Sequence, residues 1–393
     1  MPAVAPEMSL IECPHQPACP GCPRLGAGGI APDAFEQLGR LARENGLPPP
    51  PVIEGAPLGW RRRARLAVRG RVHSPKVGLF APGSHDIVDI PRCGVHHPAI
   101  NQAVAAVKQA LRENRSAPYR DAHYTGLVRY VQAVVERESD RVQLVVVCNA
   151  PSSLSFKPAA ERIRALLGDA LHSLWWNGNT ARTNTILGPD WECLAGEAAV
   201  RERIGNVDVH FPPGAFGQAN LDLADRLAAR VGAWCLAAAE PSKPPPVVAD
   251  LYAGCGALGL PLLAQGAAVH FAERGTDSLR GLSAGLAGRP SEERARARVH
   301  PGDVARLPEL PALLSECDAV IVDPPRRGLG AEVLATLAAS PPARLAYVSC
   351  GLPALLHEAR ALAAGPLRLV GLEAYALFPH TEHVETLALF ERR

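Results

Sequence analysis

Cysteines, a glycine-rich turn and a tail dense in His and Glu are the residues of this chain whose types and spacing could do chemistry. Cys350 closes the apolar run Leu345–Cys350, Leu-Ala-Tyr-Val-Ser-Cys, which reads as a strand. Taken alone, a cysteine at a strand end is more often a packing residue than a reacting one. Its neighbours in the fold decide the matter. Gly254-Cys255-Gly256-Ala257-Leu258-Gly259 fits G-x-G-x-x-G between a strand and a helix, and Glu273 follows Gly254 by 19 residues (273 − 254). Such glycines let the backbone approach a nucleotide, and an acid there can hold ribose hydroxyls. The pattern leaves three readings open: NAD, S-adenosylmethionine (SAM), or a turn that only packs helix on strand. Acids favour SAM, which is a cation. Asp250 precedes the turn in Asp-Leu-Tyr252-Ala-Gly-Cys-Gly, Asp303 follows the next short strand, and Asp323 ends the strand after it in Val-Asp-Pro-Pro.

In an open parallel sheet the carboxyl ends of the strands line one crevice. Cys350, Gly254, Glu273 and Asp323 should therefore share it. A thiolate beside a methyl donor suggests methylation of carbon 5 of a pyrimidine. Carbon 5 is a poor nucleophile until a thiolate adds at carbon 6. After methyl transfer a base must remove the carbon-5 proton so that the thiolate can leave. Phe-Pro-His380-Thr-Glu382-His383-Val-Glu385 offers four candidate bases. Arg326 and Arg327 follow Asp323-Pro-Pro and suit phosphates. The densest basic run is Trp60-Arg61-Arg62-Arg63-Ala64-Arg65, a candidate for RNA backbone contact with Trp60 stacking on a base. A target base must leave its stack to reach Cys350, which points to a nucleotide in an RNA loop.

Cys13, Cys19 and Cys22 are spaced C-x5-C-x2-C, and Cys93 stands far downstream. Four thiolates suffice for an iron–sulfur cluster or a zinc ion. The five-residue gap argues against the radical-SAM class. No secretory leader or membrane-length apolar run is visible, so a cytoplasmic protein with reduced thiols is expected. With 41 basic and 39 acidic residues the net charge is +2, so any nucleic-acid surface must be local. Hydrophobic residues make up 47% and charged residues 20%, which excludes disordered and fibrous classes.

The elements that must position these residues fall into two styles. Residues 1–215 read as an α+β unit with much antiparallel strand: a helix at 35–46, strands over 60–90, a helix at 99–113, a hairpin around Glu-Arg-Glu-Ser-Asp-Arg (136–141), and further strand to about 211. Residues 216–393 begin with a long helix over 220–239 and a break, Glu-Pro-Ser-Lys-Pro-Pro-Pro. Strands then alternate with helices, which implies a doubly wound, mostly parallel α/β sheet of Rossmann type. Residues 367–393 add an antiparallel edge hairpin around the polar tail segment. A monomer is expected.

Asp-Leu-Tyr-Ala-Gly-Cys-Gly, Val-Asp-Pro-Pro-Arg-Arg-Gly, Tyr-Val-Ser-Cys, Phe-Pro-His-Thr-Glu-His-Val-Glu and Phe-Pro-Pro-Gly-Ala-Phe-Gly-Gln-Ala-Asn are similar to signatures of the SAM-dependent RNA 5-methyluridine methyltransferases. That family includes the tRNA T-loop enzyme and iron–sulfur ribosomal RNA enzymes, and the resemblance spans about residues 10–390. It implies a class I SAM methyltransferase domain behind an N-terminal domain with an iron–sulfur site. It implies that Cys350 is the nucleophile and Glu385 the proton-abstracting base. Phe216 would stack near the target base, Arg326 would meet the substrate, and Gln218 would contact SAM. Tyr252, Gly254, Glu273, Asp303 and Asp323 would complete the pocket. Cys13, Cys19, Cys22 and Cys93 would hold a [4Fe–4S] cluster, with zinc the lesser alternative. Ribosomal RNA is the implied substrate. The alternatives are a tRNA uracil-5 methyltransferase and a catalytically silent iron–sulfur RNA-binding protein. Cytosine-5 enzymes use a Pro-Cys motif, and no Pro-Cys dipeptide occurs here. Three departures stand out. Gly351-Leu352-Pro353 replaces the usual Asn-Pro after the nucleophile, Ala257 replaces a polar residue, and the family's N-terminal RNA-binding barrel, the TRAM module, has no counterpart before Cys13.

Overall fold

The computed structural model describes residues 11–237 and 244–393. The end of the long helix expected to reach 239, and residues 240–243 of the break after it, lie outside them. Helices α1 (Pro32–Glu44), α2 (Pro98–Glu113), α3 (Lys157–Leu167) and α4 (Leu221–Leu236) belong to the first 236 residues. The strands of that stretch are β1 (Val52–Ile53), β2 (Arg63–Arg71), β3 (Ser74–Phe80), β4 (Ile87–Asp89), β5 (Val128–Val135), β6 (Val142–Cys148), β7 (Leu171–Gly178), β8 (Asp190–Gly196), β9 (Val200–Ile204) and β10 (Val207–Phe211). The later ones are β11 (Val247–Leu251), β12 (Ala268–Glu273), β13 (Ala297–Pro301), β14 (Ala319–Val322), β15 (Arg344–Ser349), β16 (Leu367–Tyr375) and β17 (Glu385–Arg392).

The first half builds a seven-stranded sheet in the order β4-β3-β2-β5-β6-β7-β8. All pairs are antiparallel except β6 with β7, which α3 connects as a crossover. Gln143-Leu-Val-Val-Val-Cys148 is buried along its whole length because β6 is central and covered on both faces. α2 and α3 cover one face with Ile100, Val104, Val107, Leu111 and Ile163 against Leu66, Val68, Val131, Leu144 and Val146. Each such side chain contributes about 1.5–3 kcal/mol when fully buried.

The second half builds an eight-stranded sheet in the order β1-β16-β17-β15-β14-β11-β12-β13. β13, β12, β11, β14 and β15 are parallel, and β17 runs antiparallel between β15 and β16. The Rossmann-type sheet and the terminal antiparallel hairpin of the sequence reading are both present. From β11 the chain goes first to β12 and β13, then returns to β14 on the other side. The order therefore reverses at β11, and a crevice opens beyond the carboxyl ends of β11 and β14.

Three pieces of the first half pack with this second sheet, one of them the β9–β10 hairpin, whose Val207, Val209 and Phe211 share a core with Val248, Leu260 and Phe271. β1 pairs with β16 in parallel, Val52 opposite Ala374. α1 buries Ala34, Leu38, Leu41 and Ala42 in the same core as Val320, Val322, Leu345 and Leu355. The division at 215/216 is thus one of chain order, and these three pieces cross it. No helix among the described residues is long and apolar enough to cross a membrane.

Candidate active site

The turn after β11 opens the crevice. Tyr252 (φ 64°) and Gly254 (φ 57°) both take the left-handed conformation, which costs a tyrosine some strain. Glu273, at the end of β12, holds the turn: Gly254 N–H donates to its Oε2 at 2.8 Å and Arg274 N–H to its Oε1 at 2.7 Å. Asp250 lies beneath, buried, with Oδ2 unpartnered among the described residues. Burial, then the nearby Asp323, push its carboxyl up to about 8. Asp323 itself is raised to about 7 by burial. Asp303 accepts from Ala305 N–H at 3.2 Å and pairs with Arg274 Nη1 at 3.0 Å. Burial, then Asp303 and Glu358, raise the Tyr252 phenol to about 12. The crevice thus gathers more carboxyl groups than cations, an arrangement that suits a positively charged ligand. Phe216 and Gln218 lie on the loop between β10 and α4, Phe216 70% exposed and Gln218 half-buried. Arg63 Nη1 donates to Ala215 O at 2.9 Å and Gln132 Nε2 to Pro213 O at 2.7 Å, so the first-half sheet anchors this loop.

Strand register brings the thiol and the tail acid together. β15 and β17 pair from Arg344↔Glu391 to Ser349↔Thr386, so the next position sets Cys350 opposite Glu385. Glu385 is 1% exposed and its Oε1 has no partner among the described residues. Burial first, then Asp323, push its carboxyl well above the usual range, with Arg326 opposing. The Cys350 thiol is pushed up to about 11 by burial, Glu385 and Asp323, again with Arg326 opposing. One thiol, two carboxyls and one guanidinium therefore feel each other at the ends of three adjacent strands. Of the other tail candidates, Glu382 and His383 are exposed. His380 is buried, strained at φ 68°, and pinned through Nε2 to Pro57 O (3.0 Å) and through its carbonyl, which accepts from Arg24 N–H (3.0 Å).

Gly351 explains one departure in the sequence. A Cβ there would lie 2.1 Å from Arg326 O, so the backbone after Cys350 packs directly on the arginine loop. Sequence reasoning missed Glu358. This buried residue accepts from Tyr347 Oη–H (2.5 Å), Leu329 N–H (3.1 Å) and Gly330 N–H (3.2 Å), and so fixes the end of the Arg326 loop. It lies in an amphipathic helix (Leu352–Ala364), and only its burial, which one sequence does not show, distinguishes it from a surface acid.

Cys13, Cys19, Cys22 and Cys93 line one cavity of about 110 Å³ together with Arg61 and His96. No disulfide joins them. Burial, then Cys93, Cys19 and Cys13, raise the Cys22 thiol to about 11. Among the described residues no three His, Cys, Asp or Glu side chains converge as a single metal ion requires. The basic run 60–65 needs correction. Trp60 is 6% exposed, edge-on to Phe378 at 6.0 Å and covered by Arg61 at 4.7 Å, so it packs beside the cysteines and cannot stack on a base. Arg62 is bound to Asp140 (2.8 Å) and Arg63 to Ala215 O. Burying the indole and tying the arginines down stabilises the junction between the two sheets.

No family model matches the chain. A protein of Protochlamydia amoebophila, named an uncharacterized RNA methyltransferase, is 35% identical over 388 residues, covering 97% of this chain and 98% of the relative. Another of that name from Gloeobacter violaceus is 31% identical, covering 92% and 76%. Among solved structures, the Pyrococcus abyssi tRNA (uracil-54, C5)-methyltransferase in complex with S-adenosyl-L-homocysteine superposes with a TM-score of 0.75 at 22% identity, over 95% of this chain and 86% of that one, and so shares its fold. On the strength of the full-length relatives, the chain belongs to the RNA methyltransferase family.

Proposed function

We propose that the protein methylates carbon 5 of a uridine in RNA, with SAM as donor and Cys350 as covalent nucleophile. The observation that carries this reading is the strand register that sets Cys350 opposite the buried, unpartnered Glu385. SAM, when bound, supplies an electrophilic methyl group, and the acid-rich crevice of Asp250, Glu273, Asp303 and Asp323 fits its positive charge. The Cys350 thiolate forms a bond to carbon 6, and the electron pair of the 5,6 double bond moves onto carbon 5. Carbon 5 takes the methyl, leaving S-adenosylhomocysteine. The Glu385 carboxylate then removes the carbon-5 proton, the double bond re-forms and the thiolate departs. Arg326 favours the thiolate, and Phe216, exposed on the loop between β10 and α4, would stack on the extruded base.

Ribosomal RNA is the proposed substrate, because the cysteine arrangement resembles that of the ribosomal RNA enzymes. The four cysteines face one small cavity, and their C-x5-C-x2-C spacing with distant Cys93 resembles the [4Fe–4S] site of those enzymes, with zinc the lesser alternative. Iron with matching sulfide in anaerobically purified protein, lost in Cys19→Ser, is the expected result; stoichiometric zinc without sulfide refutes the cluster.

The test of the mechanism is a trapped adduct. Glu385→Gln should add to uridine, transfer methyl and stall as a protein–RNA species stable in denaturing gels. Loss of a general base slows release by about 10²–10⁴-fold. The species should need both SAM and Cys350. Normal turnover by Glu385→Gln, or activity in Cys350→Ala, overturns this assignment. Unmodified ribosomal and transfer RNA pools, offered separately, identify the substrate by where the label goes.

A further inference from the structure

The end of the first-half sheet opposite the Arg63 and Phe216 loop contact carries an exposed aromatic that nothing in the chemistry above uses. Tyr124 is 48% exposed, at the tip of a turn preceding β5, and takes a left-handed φ of 52°. Asn149 Nδ2 donates to its carbonyl (3.3 Å) and to that of Gly126 (3.1 Å). Arg182 lies over the Tyr124 ring at 4.6 Å.

Arg182 belongs to the loop between β7 and β8, whose residues 180–185 are all exposed yet are held from below. Buried Arg129 donates to Asn179 O (2.7 Å), Ala181 O (2.9 Å) and Thr183 O (3.2 Å). Buried Asn179 donates through Nδ2 to Thr185 O (2.8 Å) and Ile186 O (2.9 Å). Asn177 holds the loop's return through Gly188 (2.9 and 2.7 Å). Committing three buried polar side chains to an exposed loop leaves its tip in a fixed position. Arg120 and His123, next to Tyr124 in the chain, are also exposed, and the acid nearest in sequence, Asp121, is already paired with Arg69 at 2.6 Å. The patch is therefore a rigid aromatic surface with uncompensated positive charge.

We propose that Tyr124 and Arg182 form a second RNA contact, a platform on which an unpaired base stacks while Arg120 and Arg182 meet its phosphates. An aromatic ring beside guanidinium groups matches what single-stranded RNA presents, a π-face flanked by anions. The proposal rests on the RNA-methylating reading of the crevice. The platform lies beyond the amino end of β5, whereas the opposite end of that strand lies beside Arg63 and the Phe216 loop. The eight residues of β5 span roughly 25 Å. A strand stacked at ~3.4 Å per nucleotide needs about seven nucleotides to bridge the two places. The enzyme should therefore grip a structured RNA at two points and recognise more than the target uridine.

The test is fluorescence anisotropy of the full-length protein with a 20-nucleotide oligouridylate and with a uridine trinucleotide. Tyr124→Asn keeps the left-handed turn, and Arg182→Ala changes an exposed side chain only. Each should weaken binding of the 20-mer about tenfold, in the range of one lost base stack. Trinucleotide binding and SAM binding should not change. Ultraviolet crosslinking of the 20-mer should label the peptide containing Tyr124. Wild-type affinity in both variants, or crosslinks confined to the crevice, overturns the platform while leaving a Cys350-dependent adduct standing. Failure of the wild-type protein to bind or modify any RNA overturns the crevice reading as well.

Discussion

Gly351 shows how closely the thiol's surroundings are built. It is not a conformational requirement, since φ is −116°; it is a lack of room beside Arg326 O. Gly351→Ala should therefore push the arginine loop away from Cys350. Overpacking of this kind costs about 1–3 kcal/mol, visible as a lower Tm. A displacement near 1 Å at a reacting group can cost about a hundredfold in rate. Methyl transfer should drop far more than SAM affinity, measured by single-turnover labelling and by calorimetry. A variant with wild-type Tm and rate means that the backbone at 351 has slack the structure does not show. Cys350 and Glu385 were both legible in the sequence, the first from its strand end and the second through family resemblance. Their facing register was not, because pairing of β15 with β17 is a long-range choice that local patterns do not encode.

Elements around the site do their work through backbone contacts. Glu358, on the helix that follows Cys350, satisfies two N–H groups of the loop after β14. Glu358→Ala leaves the buried Leu329 N–H unpaired, at about 1–3 kcal/mol, frees the more exposed Gly330 N–H to water, and should loosen Arg326 together with Tyr252, whose Oη–H reaches Leu329 O. The expected outcome is a lower Tm with weakened SAM binding; loss of neither removes Glu358 from the support of the site. The loop from Phe378 to Val384 is held by the cysteine-bearing segment: the Arg24 backbone N–H donates to His380 O (3.0 Å), and its guanidinium, the part an alanine removes, donates to Thr381 O (3.3 Å). Arg24→Ala should slow the last, proton-removing step more than adduct formation, so a methylated adduct should accumulate transiently in quenched reactions. Equal slowing of both steps argues against that coupling. Alternation of strands and helices made the second sheet readable, and period-two patterns did the same for β2, β3, β5 and β6. The misplacement of Trp60 has a physical cause: a tryptophan beside arginines has the composition of a nucleic-acid surface and of a packed junction alike, and only tertiary contacts separate them.

For the whole molecule, buried carboxyls set a pH dependence. Asp250 at about 8, Asp323 at about 7 and Glu202 at about 7 all lie above the ordinary carboxyl range. The folded protein keeps protons that the unfolded chain has lost, so each group lowers stability as pH rises from its ordinary value to its folded one. Buried histidines such as His96, lowered to about 4, act oppositely, but that contribution is complete by about pH 6.5, the ordinary histidine value. Between about pH 6.5 and 8 the Tm of the ligand-free protein should therefore fall. A cationic donor favours the charged carboxylates, so SAM affinity should rise over the same window with proton release, measurable by calorimetry in buffers of different ionisation heat. Affinity that is flat with pH indicates that Asp250 and Asp323 stay protonated beside the ligand.

β1 has a consequence for how the protein is made. Val52 waits for Ala374, a separation of 322 residues (374 − 52). At roughly 5–20 residues per second of synthesis, that is about 15–65 seconds during which the strand and the apolar face of α1 have emerged from the ribosome without their partners. The first-half sheet can close on itself during this time, but its leading segment cannot. Newborn chains should therefore pass through a stage that holding chaperones bind at residues 32–53. The two halves are unsuited to exchange as separate cassettes, because a second half made alone leaves β16 as an open sheet edge.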